Sequence, residues 1–240
     1  MNFFKRIWQA IVEVFKPQPI PQQPTPIEPP DVLVPNPSTG NSMLDSLPVN
    51  AIGVDISHHN KTVNLSALAK SVSFIYMKAT EGASFVSSAY LSRAKELKAL
   101  GVAWGAYHYY RINVDPLVQA KHFVKFKDGW TMPPVLDIEA ISNDGYNSRI
   151  HTPDLLIFLN YIEKHTGMIP VVYCGYYFAR DHIKPTLDFA KYPLWIAWYT
   201  TDFSKVKVPL PWKKIKLWQF TETGKIDGVI GNVDINRVVS

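Results

Sequence analysis

Eight short apolar runs alternate with helical patterns between residues 51 and 240, and this alternation limits the folds open to the chain. Strands that alternate with helices pair in parallel, which predicts an α/β fold. Eight strands predict an irregular, shortened (β/α) TIM-like barrel, smaller than the ~250 residues typical of that fold. The alternative is an open doubly wound sheet, although no glycine-rich phosphate loop follows any run. The runs lie at 51–55, 73–79, 103–109, 135–137, 171–174, 194–197, 215–220 and 233–234.

Three of the connecting segments have clear helical patterns. The clearest begins at Thr152, a good N-cap, continues with Pro153 at the first helical position and ends at Gly167. A second helix is expected over residues 88–100, stopped by Gly101, and a third begins near Pro116. The later connections are short, so we expect some helices of the barrel to be reduced.

The first 48 residues differ in composition and pattern from the rest of the chain. Residues 1–16 place Phe4, Trp8, Ile11 and Phe15 at helical spacing, which predicts an amphipathic helix. Residues 17–48 are rich in proline and predict a semi-extended linker. The expected domains are therefore a helix over 1–16, a linker over 17–48 and a globular domain over 49–240.

Three roles remain open for the N-terminal helix. It is too short and too polar to span a bilayer, and no A-x-A cleavage site follows it as in a signal peptide. Contact with a membrane surface or docking onto a protein partner fits better, and folding back onto the domain is a further alternative.

The composition excludes some chemistries. The single cysteine, Cys174, lies in an apolar run and is expected to be buried rather than nucleophilic. The formal charge of +5 favours a polyanionic partner such as cell wall, but no nucleic-acid-binding motif is present. The histidines lack metal-ligand spacing, so we predict neither a metal nor another cofactor.

Acidic residues fall where the predicted strands end. Asp137 and Glu139 are two residues apart, so both point to the same face of their strand. Asp55 ends the first run and Asp234 ends the eighth. The carboxyl ends of barrel strands meet at one rim, which places these four acids in one cleft. Converging carboxylates raise the pKa of at least one member, and a protonated acid beside ionised ones is typical of glycoside hydrolysis.

The same residues resemble a known family. The matching segments are 53–57, 74–82, 105–109, 135–139, 218–220 and 233–236, which occur in order over about residues 50–240. They are similar to glycoside hydrolase family 25, the N-acetylmuramidases or Chalaropsis-type lysozymes. The resemblance implies a shortened β/α barrel that hydrolyses the β-1,4 bond after N-acetylmuramic acid in peptidoglycan, with retention of configuration.

The resemblance also implies roles for individual residues. Glu139 would be the general acid and Asp137 its acidic partner, while Asp55 and Asp234 would complete the cleft. Either a carboxylate or the acetamide group of the substrate would act as the nucleophile. The expected sugar contacts are Tyr107, His108, Tyr173, Trp198, Trp218 and Gln219.

These inferences lead to one main hypothesis and two rivals. The main hypothesis is a cell-wall muramidase, acting as a secreted, periplasmic or phage-delivered enzyme on bacterial peptidoglycan. One rival is a non-catalytic peptidoglycan-binding module. The other is a lytic component of a phage or secretion assembly, docked through residues 1–16.

Overall fold

A computed structural model describes residues 43–139 and 152–240 of the chain. The predicted helix over residues 1–16 and the predicted linker up to residue 42 lie outside the described residues. Within the described residues, no helix is both long and apolar enough to cross a membrane.

The described residues form a closed β/α barrel, which confirms the predicted fold. Eight strands close the barrel because the first pairs with the second and also with the last, and one short strand extends the second as a hairpin. The strands are β1 (Ile52–Ile56), β2 (Phe74–Glu81), the hairpin strand β3 (Phe85–Val86), β4 (Ala103–Tyr109), β5 (Val135–Asp137), β6 (Val171–Gly175), β7 (Leu194–Ala197), β8 (Leu217–Gly224) and β9 (Val233–Val238).

The last strand departs from the parallel pairing that the sequence predicted. Strand β9 runs antiparallel to both β8 and β1, whereas the other barrel pairs are parallel. Residues 225–232 join β8 to β9, and this connection is shorter than the dozen or more residues that a parallel crossover requires. Strand β9 therefore begins at the rim where the parallel strands end.

The helices vary in length around the barrel, in agreement with the irregular form expected. They are α1 (Met43–Ser46), α2 (Leu65–Ser71), α3 (Tyr90–Leu100), α4 (Pro116–Val124), α5 (Thr152–Thr166), α6 (Tyr176–His182) and α7 (Leu187–Ala190), with a 3₁₀ turn at Phe203–Lys205. The predicted stops at Gly101 and Gly167 are confirmed, because both glycines have positive φ angles, 68° and 70°. Glycine adopts this left-handed conformation at little steric cost and is therefore common at the ends of helices.

Alternation along the strands divides the core into two layers. One set of side chains packs between the strands and the helices, and includes Ile75, Leu136 and Phe158. The other set fills the barrel interior at its base, and includes Phe74 and Tyr76. Large rings fit at the base because small residues face them.

Glycines make room for those rings. A Cβ atom on Gly53 would lie 2.3 Å from the ring of Phe74, and one on Gly105 would lie 2.6 Å from the ring of Tyr76. The base of the barrel is thus filled by side chains, and the opposite rim remains for a cleft.

The last residues of the predicted linker contact the barrel. Leu44, on α1, is buried in the cluster that fills the barrel interior. Asp45 forms an ion pair with Lys216 at 3.1 Å, and the backbone N–H of Ala51 donates to the carbonyl of Pro48 at 3.0 Å. Proline content alone suggested a tether through residue 48, but an apolar side chain within it packs against the barrel.

Candidate active site

The four acidic residues predicted from the sequence open onto one cleft at the rim of the barrel. Asp55 and Asp137 lie at the ends of β1 and β5, Glu139 lies two residues beyond β5, and Asp234 lies near the start of β9. The cleft has a volume of about 220 Å³. Its lining residues are Asp55, Tyr107, Val135, Asp137, Glu139, Tyr173, Trp195, Tyr199, Gln219, Glu222 and Asp234.

Asp55 and Asp234 form a carboxyl pair. They are register partners across the antiparallel pairing of β1 with β9, and their side chains share a hydrogen bond. Burial raises the pKa of Asp234 to about 8, and the nearby charge of Asp55 adds to this effect. Burial also raises the pKa of Asp55, although the hydrogen bonds that it accepts oppose the rise. Together the two carboxyl groups therefore hold a proton more tightly than an isolated aspartic acid does.

Gln219 fixes one side of the Asp55 carboxylate. Its Nε2 atom donates to Asp55 Oδ2 at 2.9 Å. The Oε1 atom of the same amide accepts hydrogen bonds from the hydroxyl groups of Tyr173, at 2.9 Å, and Tyr199, at 3.2 Å. The two phenols hold the amide in the orientation that directs its N–H toward Asp55.

Asn236 supports the same carboxylate oxygen from β9. Its Nδ2 atom donates to Asp55 Oδ2 at 2.8 Å, and its Oδ1 atom accepts from Trp195 Nε1 at 2.9 Å. Two amide donors on one oxygen favour the ionised form of a carboxyl group. Asp55 is therefore prepared as the anionic member of its pair with Asp234.

Asp137 and Glu139 form the second acidic pair. Burial raises the pKa of Asp137 well above its ordinary value, and the charge of Glu139 raises it further. Burial also raises the pKa of Glu139, with a further contribution from the charge of Asp55. Asp137 Oδ1 is buried and has no hydrogen-bond partner among the described residues. The pair thus holds protons more tightly than free carboxylic acids do.

A buried lysine balances part of this negative charge. Lys78 points into the barrel from β2, and its Nζ atom lies 2.6 Å from Glu81 Oε2 and 4.5 Å from the ring centre of Tyr109. Its positive charge acts against the rise in pKa at both Asp137 and Glu139. Lys78 is therefore a source of positive potential next to the acids.

Other kinds of chemistry find little support in the described ranges. Cys174 is fully buried, and burial raises the pKa of its thiol. A thiol of this kind is a poor nucleophile. In residues 43–139 and 152–240, no three His, Cys, Asp or Glu side chains are arranged to hold a metal ion.

The sequence profile of glycosyl hydrolases family 25 matches residues 54–229, which is most of the chain. The chain belongs to this family. The match begins one residue before Asp55 and spans both Asp137 and Glu139. The predicted resemblance to family 25 is thereby confirmed, and the protein is a glycosidase.

Individual relatives have similar sequences, and a lysozyme of known structure has a similar fold. The chain is 32% identical over 197 residues to the uncharacterised protein YegX of Escherichia coli K12, covering 77% of this chain and 68% of that protein. It is 28% identical over 197 residues to lysozyme M1 of Streptomyces globisporus, and the match covers 77% of this chain and 66% of that protein. The crystal structure of a lysozyme from Streptomyces coelicolor superposes with a TM-score of 0.72 at 27% identity. That superposition covers 80% of this chain and 93% of the other.

The family 25 barrel brings some of the predicted sugar contacts into the cleft and leaves others out. Tyr107, Tyr173 and Gln219 line the cleft beside the four acids. His108 points the other way, since adjacent residues of a strand face opposite sides. It is fully buried, lies 2.7 Å from Thr80 Oγ1 through its Nδ1 atom, and packs against Phe158. His108 belongs to the core between barrel and helices, away from the cleft.

The two predicted tryptophans also lie outside the acidic cleft. Trp218 precedes the inward-facing Gln219, so its ring faces outward, where it is buried against Phe203 and Phe220. Its Nε1 atom donates to the carbonyl of Trp198 at 2.8 Å. Trp198 lines a neighbouring cleft instead. Strand parity in the sequence already allowed only one of Trp218 and Gln219 to face inward.

The sequence analysis did not predict four residues that line the family 25 cleft, namely Val135, Trp195, Tyr199 and Glu222. Val135 was detectable, because it lies two residues before Asp137 on the same strand and so shares its face. The supporting residue Asn236 was detectable in the same way from Asp234. Tyr199 and Glu222 carried no such signal. Glu222 follows a register shift between Gln219 and Thr221, which breaks the alternation along β8.

Proposed function

We propose that this protein is a muramidase that hydrolyses the β-1,4 bond between N-acetylmuramic acid and N-acetylglucosamine in bacterial peptidoglycan. One observation carries the proposal: Asp55, Asp137, Glu139 and Asp234 converge with Glu222 at the rim of a family 25 barrel, in a cleft walled by tyrosine and tryptophan. Lysozyme M1 and the lysozyme of known structure are relatives whose names state this type of activity. Aromatic side chains suit the apolar faces of sugar rings.

Glu139 acts as the general acid in the proposed reaction. Burial keeps its pKa above the ordinary value of a glutamic acid, so a larger fraction carries a proton at a given pH. The proton passes to the glycosidic oxygen while the bond from that oxygen to the sugar C1 breaks. Positive charge then develops at C1 and the ring oxygen.

Asp137 contacts the substrate beside Glu139. Its Oδ1 atom is buried without a hydrogen-bond partner among the described residues, and such an atom gains free energy from a donor in a ligand. The N–H of the substrate N-acetyl group supplies a donor of this kind. Asp137 thereby orients the acetamide, or stabilises the positive charge as it develops.

Asp55 and Asp234 form the opposite acidic wall. Two amide donors hold the Asp55 carboxylate in place, and Asp234 shares its proton with it. A fixed anion stabilises an oxocarbenium-like transition state without reorganisation at the moment of reaction. Glu222 adds a further carboxyl group to the lining of the cleft.

The proposed reaction retains configuration at C1. In one form a carboxylate attacks C1, and in the other the acetamide oxygen of the substrate attacks it; water then releases the intermediate in both. Both forms deliver the β-anomer first. Proton NMR of freshly digested soluble glycan tests this step, and initial release of the α-anomer would contradict it.

Mass spectrometry of digested peptidoglycan tests the proposed function. After borohydride reduction, a muramidase yields fragments that end in reduced N-acetylmuramic acid. Fragments that end in reduced N-acetylglucosamine would identify a glucosaminidase instead. Intact glycan strands after prolonged incubation would support the non-catalytic binding module.

Residues 1–16 direct this activity to a membrane surface or a protein partner in the same proposal, and the proline-rich segment after them acts as the tether. The support is the amphipathic spacing of the segment. Removal of residues 1–42 keeps Leu44 and the rest of the barrel. The shortened protein should digest soluble glycan as the full chain does, but lose binding to vesicles or to partner proteins. Equal binding by both forms would contradict this role.

A further inference from the structure

A second cleft lies beside the acidic one at the same rim of the barrel. It begins where β6 and β7 end, at Gly175 and Ala197, and has a volume of about 350 Å³. That volume falls within the roughly 300–1,000 Å³ typical of ligand pockets. Its remaining lining residues are Tyr176, Tyr177, Phe178, Trp198 and Tyr199.

Aromatic rings form the wall of this second cleft. The ring of Trp198 lies 4.9 Å from that of Tyr176 and 5.8 Å from that of Tyr177, where the two planes are nearly parallel at 28°. Tyr177 is 60% exposed, and Tyr199 is 51% exposed. Exposed aromatic surface of this extent is costly in water and often marks a binding site.

Tyr199 joins the two clefts. It lines both of them, and its hydroxyl group donates to Gln219 Oε1, the amide that holds Asp55. A polymer that reaches the acids can therefore continue across Tyr199 onto the rings of Tyr177 and Trp198.

We propose that the second cleft, defined by Tyr176, Tyr177, Trp198 and Tyr199, binds an additional N-acetylhexosamine ring of the same glycan strand. This subsite rests on the proposed muramidase function and extends it. The pyranose ring lies on the aromatic faces through its C–H groups, while its hydroxyl groups remain in water. The subsite gives the enzyme a preference for long strands over short ones.

The charge of the lining favours sugar over the peptide stem of peptidoglycan. All seven lining residues are uncharged. The Arg180 guanidinium group lies 5.0 Å above the ring of Tyr177, and it is already paired with Asp181 at 2.6 and 2.7 Å. Carboxylate groups of a peptide stem would find weak attraction here, whereas a neutral sugar needs none.

The test uses the full chain and peptide-free glycan strands from peptidoglycan, separated into tetrasaccharides and octasaccharides. For each variant, kcat/KM is measured on both lengths, and the ratio of octasaccharide to tetrasaccharide is the readout. Tyr177→Ala should lower this ratio about tenfold, because exposed aromatic surface in the wall of the cleft is removed. Tyr177→Phe keeps that surface and should keep the ratio. A merely structural role for Tyr177 would lower both rates together.

Leu187→Ala provides the matched control, because Leu187 is 89% exposed and lies outside both clefts. The octasaccharide-to-tetrasaccharide ratio of kcat/KM should be the same in this variant as in the wild type. An unchanged ratio in Tyr177→Ala, with an active wild type, would overturn the subsite alone. A loss seen only on strands that carry peptide stems would also overturn it, in favour of a peptide site. Failure of the wild type to cleave either length would instead contradict the proposed function.

Discussion

Asp55 and Asp234 face each other across the antiparallel pairing of β1 and β9 and share one proton. The pairing brings together residues that are far apart in the sequence, at the first and last strands of the barrel. Closure of the barrel thus also completes the acidic cleft. The same closure places Asn236, on β9, within hydrogen-bond distance of Asp55.

Replacement of Glu139 by glutamine should abolish most of the activity. The amide cannot donate an acidic proton to the leaving oxygen, so kcat should fall by about 10²–10⁴-fold. The measurement is the release of new reducing ends from purified peptidoglycan, with circular dichroism to verify folding. Glu96→Gln, on the exposed face of α3, is the matched control and should retain full activity. A folded Glu139→Gln variant that remains active would contradict the assigned role and favour a different proton donor.

The proton on Asp234 makes stability depend on pH. Its pKa is about 8 in the folded protein and near 3.8 in the unfolded chain. Between these values the folded state keeps a proton that the unfolded state releases, so the free energy of unfolding decreases as pH rises from about 4 to about 8. The raised pKa values of Asp55, Asp137 and Glu139 act in the same direction.

Asp234→Asn should weaken this pH dependence. Asparagine donates to Asp55 without a titrating proton, so the decrease in melting temperature between pH 5 and pH 8 should be smaller than in the wild type. The exposed Asp128→Asn is the control and should show the wild-type decrease. An identical decrease in Asp234→Asn would mean that Asp234 is already ionised in the folded protein.

Gln219→Met should shift the acidic limb of the pH profile. The substitution removes the N–H donor to Asp55 Oδ2, which destabilises the ionised carboxylate and raises the pKa of Asp55. A hydrogen bond to a charged group contributes about 1.5–3 kcal/mol, so kcat/KM should fall about tenfold or more. The acidic limb of kcat/KM should move to higher pH. Thr221→Val on the same strand should leave the limb in place, and an unmoved limb in Gln219→Met would exclude Asp55 as an anionic participant.

Lys78→Met should shift the alkaline limb of the same profile. Lys78 lowers the pKa of Glu139 through its positive charge, so its removal should raise that pKa. The general acid then keeps its proton to higher pH, and the alkaline limb should move upward. The exposed Lys98→Met is the control for loss of one positive charge. A shift of the alkaline limb to lower pH would show that a group other than Glu139 titrates there.

Leu44→Ala tests whether the barrel extends to residue 43. Truncation of a fully buried leucine costs about 2–5 kcal/mol, so the midpoint of denaturant unfolding should decrease strongly. Met43→Ala, one residue earlier and partly exposed, should change stability little. Equal effects of the two substitutions would place Leu44 in the linker, as its proline-rich surroundings suggested.

The fold and the positions of the acidic residues could both be predicted because both depend on local sequence patterns. Short apolar runs and helical patterns are local signals, and Asp137 and Glu139 share a face through strand geometry alone. The same alternation places Tyr107 and His108 on opposite faces of their strand, and it does the same for Gln219 and Trp218. His108 and Trp218 were predicted to reach the cleft from their positions near strand ends, and the alternation places both side chains on the opposite face.

The contacts between residues that are distant in the sequence could be seen only in the folded chain. The antiparallel direction of β9 depends on the short connection before it and on the closure of the barrel, and this direction pairs Asp234 with Asp55. The orientation of Gln219 and Asn236 depends on donors from three other positions, Tyr173, Tyr199 and Trp195. Local sequence patterns were enough to locate the acidic residues and the ends of the strands. Which acid holds a proton was decided by burial and by neighbours that only the folded chain brings within a few ångströms.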